Sequence, residues 1–174
     1  MAIDRALLAA RIAGACRLSG EFTLRSGAVA TTYFDKYLFE GDPELLAAVA
    51  QAALPLVPPE TEVLAGLELG GVPVATALSL ATGLPAAFVR KEAKAYGTAK
   101  LAEGAAIEGR RVLIVEDVVT TGGQVVLSAR DLRARGAELL AALCVIDRSG
   151  GDHQLAAEDL PLLSVFTADD LGGT

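Results

Sequence analysis

From residue 62 to residue 166 the chain alternates short runs of Val, Leu, Ile and Ala with stretches of helical spacing, and no other feature limits its fold so tightly. Strands are expected over residues 62–69, 86–89, 111–115, 139–146 and 162–166. Helices are expected over 72–82 and 123–135, with a weaker one near 154–158. Near-continuous apolar runs suit strands buried on both faces, and strands joined through helices run parallel with right-handed crossovers. The predicted class is therefore α/β, a mainly parallel central sheet flanked by helices. Sheets of this kind bind ligands beyond the carboxyl ends of their strands.

The first third of the chain reads differently. Residues 3–18 carry Leu7, Leu8, Arg11 and Ala15 at helical spacing. Residues 21–25 and 31–37 are short extended segments about Ser26-Gly27, and a helix opening at Pro43 runs to about residue 53, where Pro55, Pro58 and Pro59 stop it. At 174 residues one domain is expected, residues 1–174, with about 60–168 forming the α/β core. Residues 91–109 are polar and punctuated by glycine, a long loop for so compact a chain, and such loops usually carry function.

Composition narrows the function. A hydrophobic fraction of 52% excludes general disorder, and a net charge of -7 argues against a nucleic-acid surface. A single histidine, His153, argues against a multi-His zinc site or a Ser/His/Asp triad. Cys16 and Cys144 are too few for a disulfide framework and read as reduced thiols. No apolar run reaches membrane-spanning length. Ala13-Gly14-Ala15-Cys16 sits loosely like a lipoprotein cleavage site, but Asp4 and Arg11 interrupt the pattern, so the segment reads as an amphipathic helix and the protein as cytoplasmic.

The richest stretch is Val112-Leu113-Ile114-Val115-Glu116-Asp117-Val118-Val119-Thr120-Thr121-Gly122-Gly123-Gln124. An apolar strand ends in two carboxylates, then a small, hydroxylated turn opens a helix. Glycines let several amide N–H groups converge, the helix N-terminus adds positive potential, and Thr120 and Thr121 add hydroxyls, so the turn suits a phosphate monoester. Glu116 and Asp117 cannot bind phosphate; they suit the 2- and 3-hydroxyls of a ribose, and acidic neighbours favour a nearby Mg2+. A ribose 5-phosphate satisfies both ends. The spacing is neither a Walker loop nor Gly-x-Gly-x-x-Gly.

This stretch resembles the phosphoribosyl pyrophosphate (PRPP) signature of type I phosphoribosyltransferases, and the remaining segments resemble the orotate phosphoribosyltransferases within that family. The resemblance implies the type I fold with a small N-terminal hood from about residues 1–40. It implies PRPP contacts from Glu116, Asp117, Val118, Val119, Thr120, Thr121, Gly122, Gly123 and Gln124. Arg90-Lys91-Glu92-Ala93-Lys94-Ala95-Tyr96-Gly97 resembles the catalytic loop, whose cations close over the pyrophosphate of a neighbouring subunit's site; Lys94, Arg90 and Lys91 are implied there, with Asp117 completing the catalytic set. Three cations within five positions suit a leaving group that gains negative charge. Tyr96 stands where the family often has His.

Residues 20–27 and Tyr33-Phe34-Asp35 resemble the family's N-terminal segment, with Arg25 on PRPP (where relatives commonly have Lys) and Tyr33 and Phe34 on the orotate ring. Arg148, at the end of the next strand, matches the arginine that meets the orotate carboxylate, helped by Thr120; a planar guanidinium suits such a two-point contact. Residues 66–73 match the pyrophosphate loop, with Gly70 where many relatives have Lys. The implied partners are orotate, PRPP and a second copy of the chain in a homodimer, with Mg2+ as cofactor, no protein-built metal site, no nucleic acid and no membrane. A phosphoribosyltransferase for another base, and a PRPP-sensing regulator without catalysis, stand as alternatives.

Overall fold

The computed structural model describes residues 4–23, 27–91 and 101–173. Helix α1 (Arg5–Cys16) starts where the Asp4 carboxylate accepts the Ala6 and Leu7 N–H groups. It leads without a loop into β1 (Arg17–Thr23), which pairs antiparallel with β2 (Val29–Phe34). A one-turn helix α2 (Tyr37–Glu40) follows, and then α3 (Pro43–Ala53), capped by Asp42 with Pro43 in its first turn. The periodicity did not foretell α2, because four residues carry too little pattern.

The core is a six-stranded sheet. Its strands are β3 (Val63–Leu67), β4 (Ala86–Val89), β5 (Ala102–Gly104), β6 (Arg111–Val119), β7 (Glu138–Asp147) and β8 (Leu162–Thr167), in spatial order β5-β4-β3-β6-β7-β8. All neighbours are parallel except β5, which pairs antiparallel with β4. The expected α/β class with a mainly parallel sheet is what the chain adopts. The edge strand β5 lies inside the stretch expected to be loop, and residues 154–158 form a 3-10 turn.

Helix α4 (Gly71–Thr82) and helix α5 (Gly123–Arg133) cover opposite faces of the sheet. Along β6, Leu113 and Val115 pack with α1, α3 and α4, while Val112 and Ile114 pack on the α5 side, as the period of a strand requires. Arg5 ties α1 to the C-terminal segment, donating to both Asp170 oxygens at 3.1 and 2.8 Å and lying 5.1 Å over the Phe166 ring.

One aspect of the topology positions the site. From β3 the chain moves outward to β4, whereas from β6 it moves the other way to β7 and β8. The carboxyl ends of β3 and β6 therefore flank a topological switch point, where diverging crossovers leave a crevice.

Candidate active site

The loops after β3 (residues 68–70) and after β6 (residues 120–122) border that switch point. Gly70 and Gly71 let the turn after β3 approach β6, and Gly66 lets the start of α4 approach β3. A Cβ on Gly71 would lie 2.3 Å from the Val115 carbonyl oxygen, one on Gly66 2.6 Å from the Gly71 carbonyl oxygen, and one on Gly70 would overlap the Asp117 carboxylate. The Glu68–Leu69 peptide is cis.

The two acids stand at the carboxyl end of β6, as the sequence suggests, but they are not displayed on an open edge. The strand does not stop at Val115: pairing with β7 continues to Val119 opposite Asp147, so Glu116 and Asp117 lie within the ladder. Glu116 is 9% exposed and Asp117 0%. Val118 and Val119, expected in the phosphate turn, are the last strand residues, and the Val119 side chain packs in the core. The expectation of a shorter strand failed because β7 supplies hydrogen-bond partners that local pattern cannot reveal.

Burial of these acids is balanced by groups from the N-terminal segment. The Lys36 ammonium lies 2.5 Å from Asp117 Oδ2. The Val118 N–H donates to Asp117 Oδ1 at 2.5 Å, and the Asp117 N–H donates to Glu116 Oε1 at 3.0 Å. Glu40, buried on α2, brings its carboxyl against Asp117. Burial, then the Asp117 carboxylate beside it, pushes the Glu40 carboxyl up to about 9, and the same causes push Glu116 up to about 9. Burial alone would raise Asp117 too, but hydrogen bonds from Glu116, Lys36 and Glu40 outweigh it and hold Asp117 below its ordinary value. Burial and the Asp117 carboxylate thus favour the protonated form of Glu40 and Glu116, while Lys36 favours the charged form of Asp117.

A test of this distribution follows from linkage. Glu40 ionises near its ordinary value when unfolded but only around pH 9 when folded, so between those values the native state holds an extra proton and stability falls as pH rises. Glu40→Gln, which imitates the protonated carboxyl, is expected to melt higher than the parent at pH 8, with the difference shrinking towards pH 4. A pH-independent difference in melting temperature would show Glu40 to be ionised in the native chain.

The turn beyond the acids faces outward. Thr120, Thr121 and Gln124 are exposed. Gly122 takes a left-handed φ of 76° at the start of α5, where its Cβ would lie 2.2 Å from Leu155 Cδ1, and no side chain caps the helix. A glycine is thus required there, and the first-turn amides of α5 are not spent on a capping side chain. This uncapped N-terminus lies at the turn that the sequence reading assigns to a phosphate.

Arg90 and Lys91 follow β4 on the other side of the crevice. Arg90 Nε lies 3.7 Å from Glu103 Oε1, and the exposed Lys91 gives its backbone N–H to Glu68 at 2.5 Å. That bond ties the base of the long loop to the loop after β3. Arg25, Lys94 and Tyr96 lie outside the described residues.

Tyr33, Phe34 and Arg148 come from segments more than a hundred residues apart, yet they line one cavity of about 320 Å3 together with Arg17 and Thr32. The Tyr33 ring is 5.5 Å from that of Phe22, centroid to centroid. The Arg148 N–H donates to the Val119 carbonyl at 2.8 Å, and Lys36, two residues after Phe34, holds Asp117, so the cavity borders the end of β6. Arg17, which donates to the Leu171 carbonyl at 2.9 Å, escaped the sequence reading, as did Lys36 and Glu40. No spacing in the chain links 17 with 148 or 36 with 117.

Among the described residues no cluster of three or more His, Cys, Asp or Glu could hold a metal ion, and no helix is long and apolar enough to cross a membrane.

Comparison with known proteins bears on the family and the fold. Residues 40–164 match the family model described as phosphoribosyl transferase domain. The chain is 56% identical over 172 residues to an orotate phosphoribosyltransferase of Nocardioides sp., covering 98% of this chain and 96% of the relative. Its fold superposes with a TM-score of 0.88 on orotate phosphoribosyltransferase of Mycobacterium tuberculosis in complex with Fe(III) dicitrate, at 36% identity, covering 98% of this chain and 99% of that one. The structure of the M. tuberculosis protein with PRPP gives a TM-score of 0.83 at 32% identity, with coverage of 98% and 99%.

Proposed function

The chain belongs to the orotate phosphoribosyltransferases of the phosphoribosyl transferase domain family, and on that premise we propose how its residues join orotate to the ribose of PRPP, giving orotidine 5-phosphate and pyrophosphate. The observation that carries the reading is the shared cavity of Tyr33, Phe34 and Arg148 beside the crevice between β3 and β6. A flat ring with a carboxylate needs an aromatic face and a guanidinium, and the cavity offers both.

In this reading the Thr120–Gln124 turn takes the 5-phosphate, with the amides of the first turn of α5 pointing at its oxygens. Glu116 and Asp117 meet the ribose hydroxyls, and Thr120 and Arg148 orient orotate. The orotate N1 attacks the anomeric carbon as the bond to pyrophosphate breaks, through a transition state with oxocarbenium character. The protein's task is alignment and neutralisation of the leaving group, which falls to Arg25, Arg90, Lys91 and above all Lys94. Mg2+ would come with PRPP and help neutralise the leaving pyrophosphate; substrate oxygens and water would hold it, since Lys36 and the Val118 N–H already engage the Asp117 oxygens. The free, buried thiols of Cys16 and Cys144 suit a cytoplasmic setting.

Loss of orotate absorbance on adding PRPP and Mg2+ tests the assignment, with other bases as competitors. A regulator that only senses PRPP would bind it and leave the absorbance unchanged. Arg148→Ala is expected to raise the orotate KM by roughly 10- to 100-fold, the cost of a lost charged hydrogen-bond pair, while the PRPP KM changes little. An unchanged orotate KM would take Arg148 out of the site.

The catalytic loop is proposed to act on the site of a second copy in a homodimer. Lys94→Ala then lowers kcat by about 100-fold with little change in PRPP affinity. Mixing that variant with Asp117→Asn regenerates part of the activity, because one site of the mixed dimer has both residues intact. Subunit exchange without recovery would place the loop over its own site.

A further inference from the structure

Among the described residues Lys36 is the cation paired with the acids of the crevice, and the sequence motif at the end of β6 does not include it. Its side chain is 33% exposed while that of its partner, Asp117, is 0% exposed, so the ammonium reaches the buried carboxylate from a partly solvated position. The Asp117 carboxylate sits in the volume left by the missing side chain of Gly70. Its second oxygen receives the Val118 N–H. The carboxylate is thus held from three directions: by its own strand, by the loop after β3 and by the segment between β2 and α2.

We propose that Lys36 is a positioning residue for ribose binding, an ammonium that enters from the N-terminal segment and fixes the Asp117 carboxylate in the pocket over Gly70 in the orientation that meets the sugar diol. This rests on the assignment of Asp117 to the ribose made above, and extends it to a residue that need not touch PRPP. It also gives the N-terminal segment a part in binding the sugar, since Phe34 on the orotate cavity and Lys36 on the ribose acid are two residues apart in one short stretch.

The groups facing Asp117 are Lys36 from the segment before α2, Glu40 from α2 and Glu116 from its own strand, with Cys144 of β7 also within electrostatic range. The loop after β3 contributes only Gly70 at the point of closest approach. Tyr37 lies beside Lys36, its ring centroid 5.4 Å from the ammonium. Among the described residues, Lys36 is the cation beside Asp117, in company with carboxyls and a thiol. Without it, burial and the neighbouring carboxyls would favour the protonated form of Asp117, and a protonated acid is a poorer acceptor for the ribose hydroxyls.

The experiment compares the parent with Lys36→Gln, Lys36→Arg, Asp117→Asn and the double variant Lys36→Gln/Asp117→Asn. PRPP affinity is measured by calorimetry without orotate, and kcat/KM for PRPP is measured across pH. Lys36→Gln is expected to weaken PRPP binding by about 30-fold, the scale of removing one partner from a buried charge pair. It is also expected to move the acid limb of the pH profile upward. Lys36→Arg retains most of the affinity, and the double variant binds no worse than Asp117→Asn alone, since Lys36 acts through Asp117. Lys36→Gln leaves a buried carboxylate without its cation, so its folding is checked by thermal melting; the arginine and double variants orphan no buried charge and carry the comparison by themselves.

PRPP affinity and an acid limb unchanged in Lys36→Gln, or losses that add in the double variant, would overturn the role of Lys36 while leaving Asp117 in place. Parent-like PRPP binding by Asp117→Asn would instead remove the ribose assignment on which the proposal rests.

Discussion

Asp117→Asn is expected to reduce kcat/KM for PRPP by about 1000-fold, roughly what two charge-assisted hydrogen bonds to the ribose hydroxyls supply at about 2 kcal/mol each. The substitution keeps the shape of the side chain and removes its charge. Asn presents one acceptor oxygen instead of two, and its amide nitrogen would face the Lys36 ammonium or the Val118 N–H, both donors. The folded chain tolerates the change because Lys36 is one-third exposed and can turn its ammonium to water once its partner is neutral. Circular dichroism and a melting curve near those of the parent, alongside the lost activity, are the expected pattern. A variant with parent kinetics would mean that the ribose is held elsewhere.

Gly71→Ala acts on the framework beneath the same site. The new methyl would lie 2.3 Å from the Val115 carbonyl oxygen and 3.2 Å from its carbon. Val115 cannot move aside, because it is paired with Gly66 of β3 on one side and Leu143 of β7 on the other, in the middle of the sheet. The strain must go into α4, whose first residue is Gly71, and into the loop before it. Overpacking of this kind costs about 3 kcal/mol, or a fall of about 10 °C in melting temperature for a chain of this size. Activity should fall with it, since the Gly70 backbone that leaves room for Asp117 is displaced. A melting temperature within a degree or two of the parent would show that α4 and β6 can separate more freely than their packing implies.

Legibility in the sequence followed the range of the forces involved. Helix α3 was readable from Pro43, which sets its first turn, to about residue 53 before the following prolines; the structure adds Asp42, which accepts its first amides. Strand β4 and the parallel order of the sheet were readable from apolar runs and intervening helices. Gly122 was readable as a turn glycine, although only the structure shows Leu155 occupying the space where a side chain would sit. The extension of β6 through Val119 was not readable, since it depends on hydrogen bonds to β7, twenty-eight positions further on at Asp147. The edge strand β5 was missed for the same reason: three residues have no pattern of their own and exist as a strand because β4 offers an unpaired edge.

What could be read from the chain alone was the chemistry on offer: small and hydroxylated residues in a turn, two adjacent acids, aromatics at 33 and 34 and a guanidinium at 148. Local backbone rules and residue chemistry act over a few positions, so a linear reading captures them. What the tertiary structure alone decided was which of these groups meet and in what state of charge. Tyr33, Phe34 and Arg148 share a cavity because β2 and the end of β7 converge there, and Asp117 is buried rather than displayed because Lys36 and Glu40 pack over it. Burial and through-space charge depend on neighbours distant in the chain, and these exist only once the sheet has assembled.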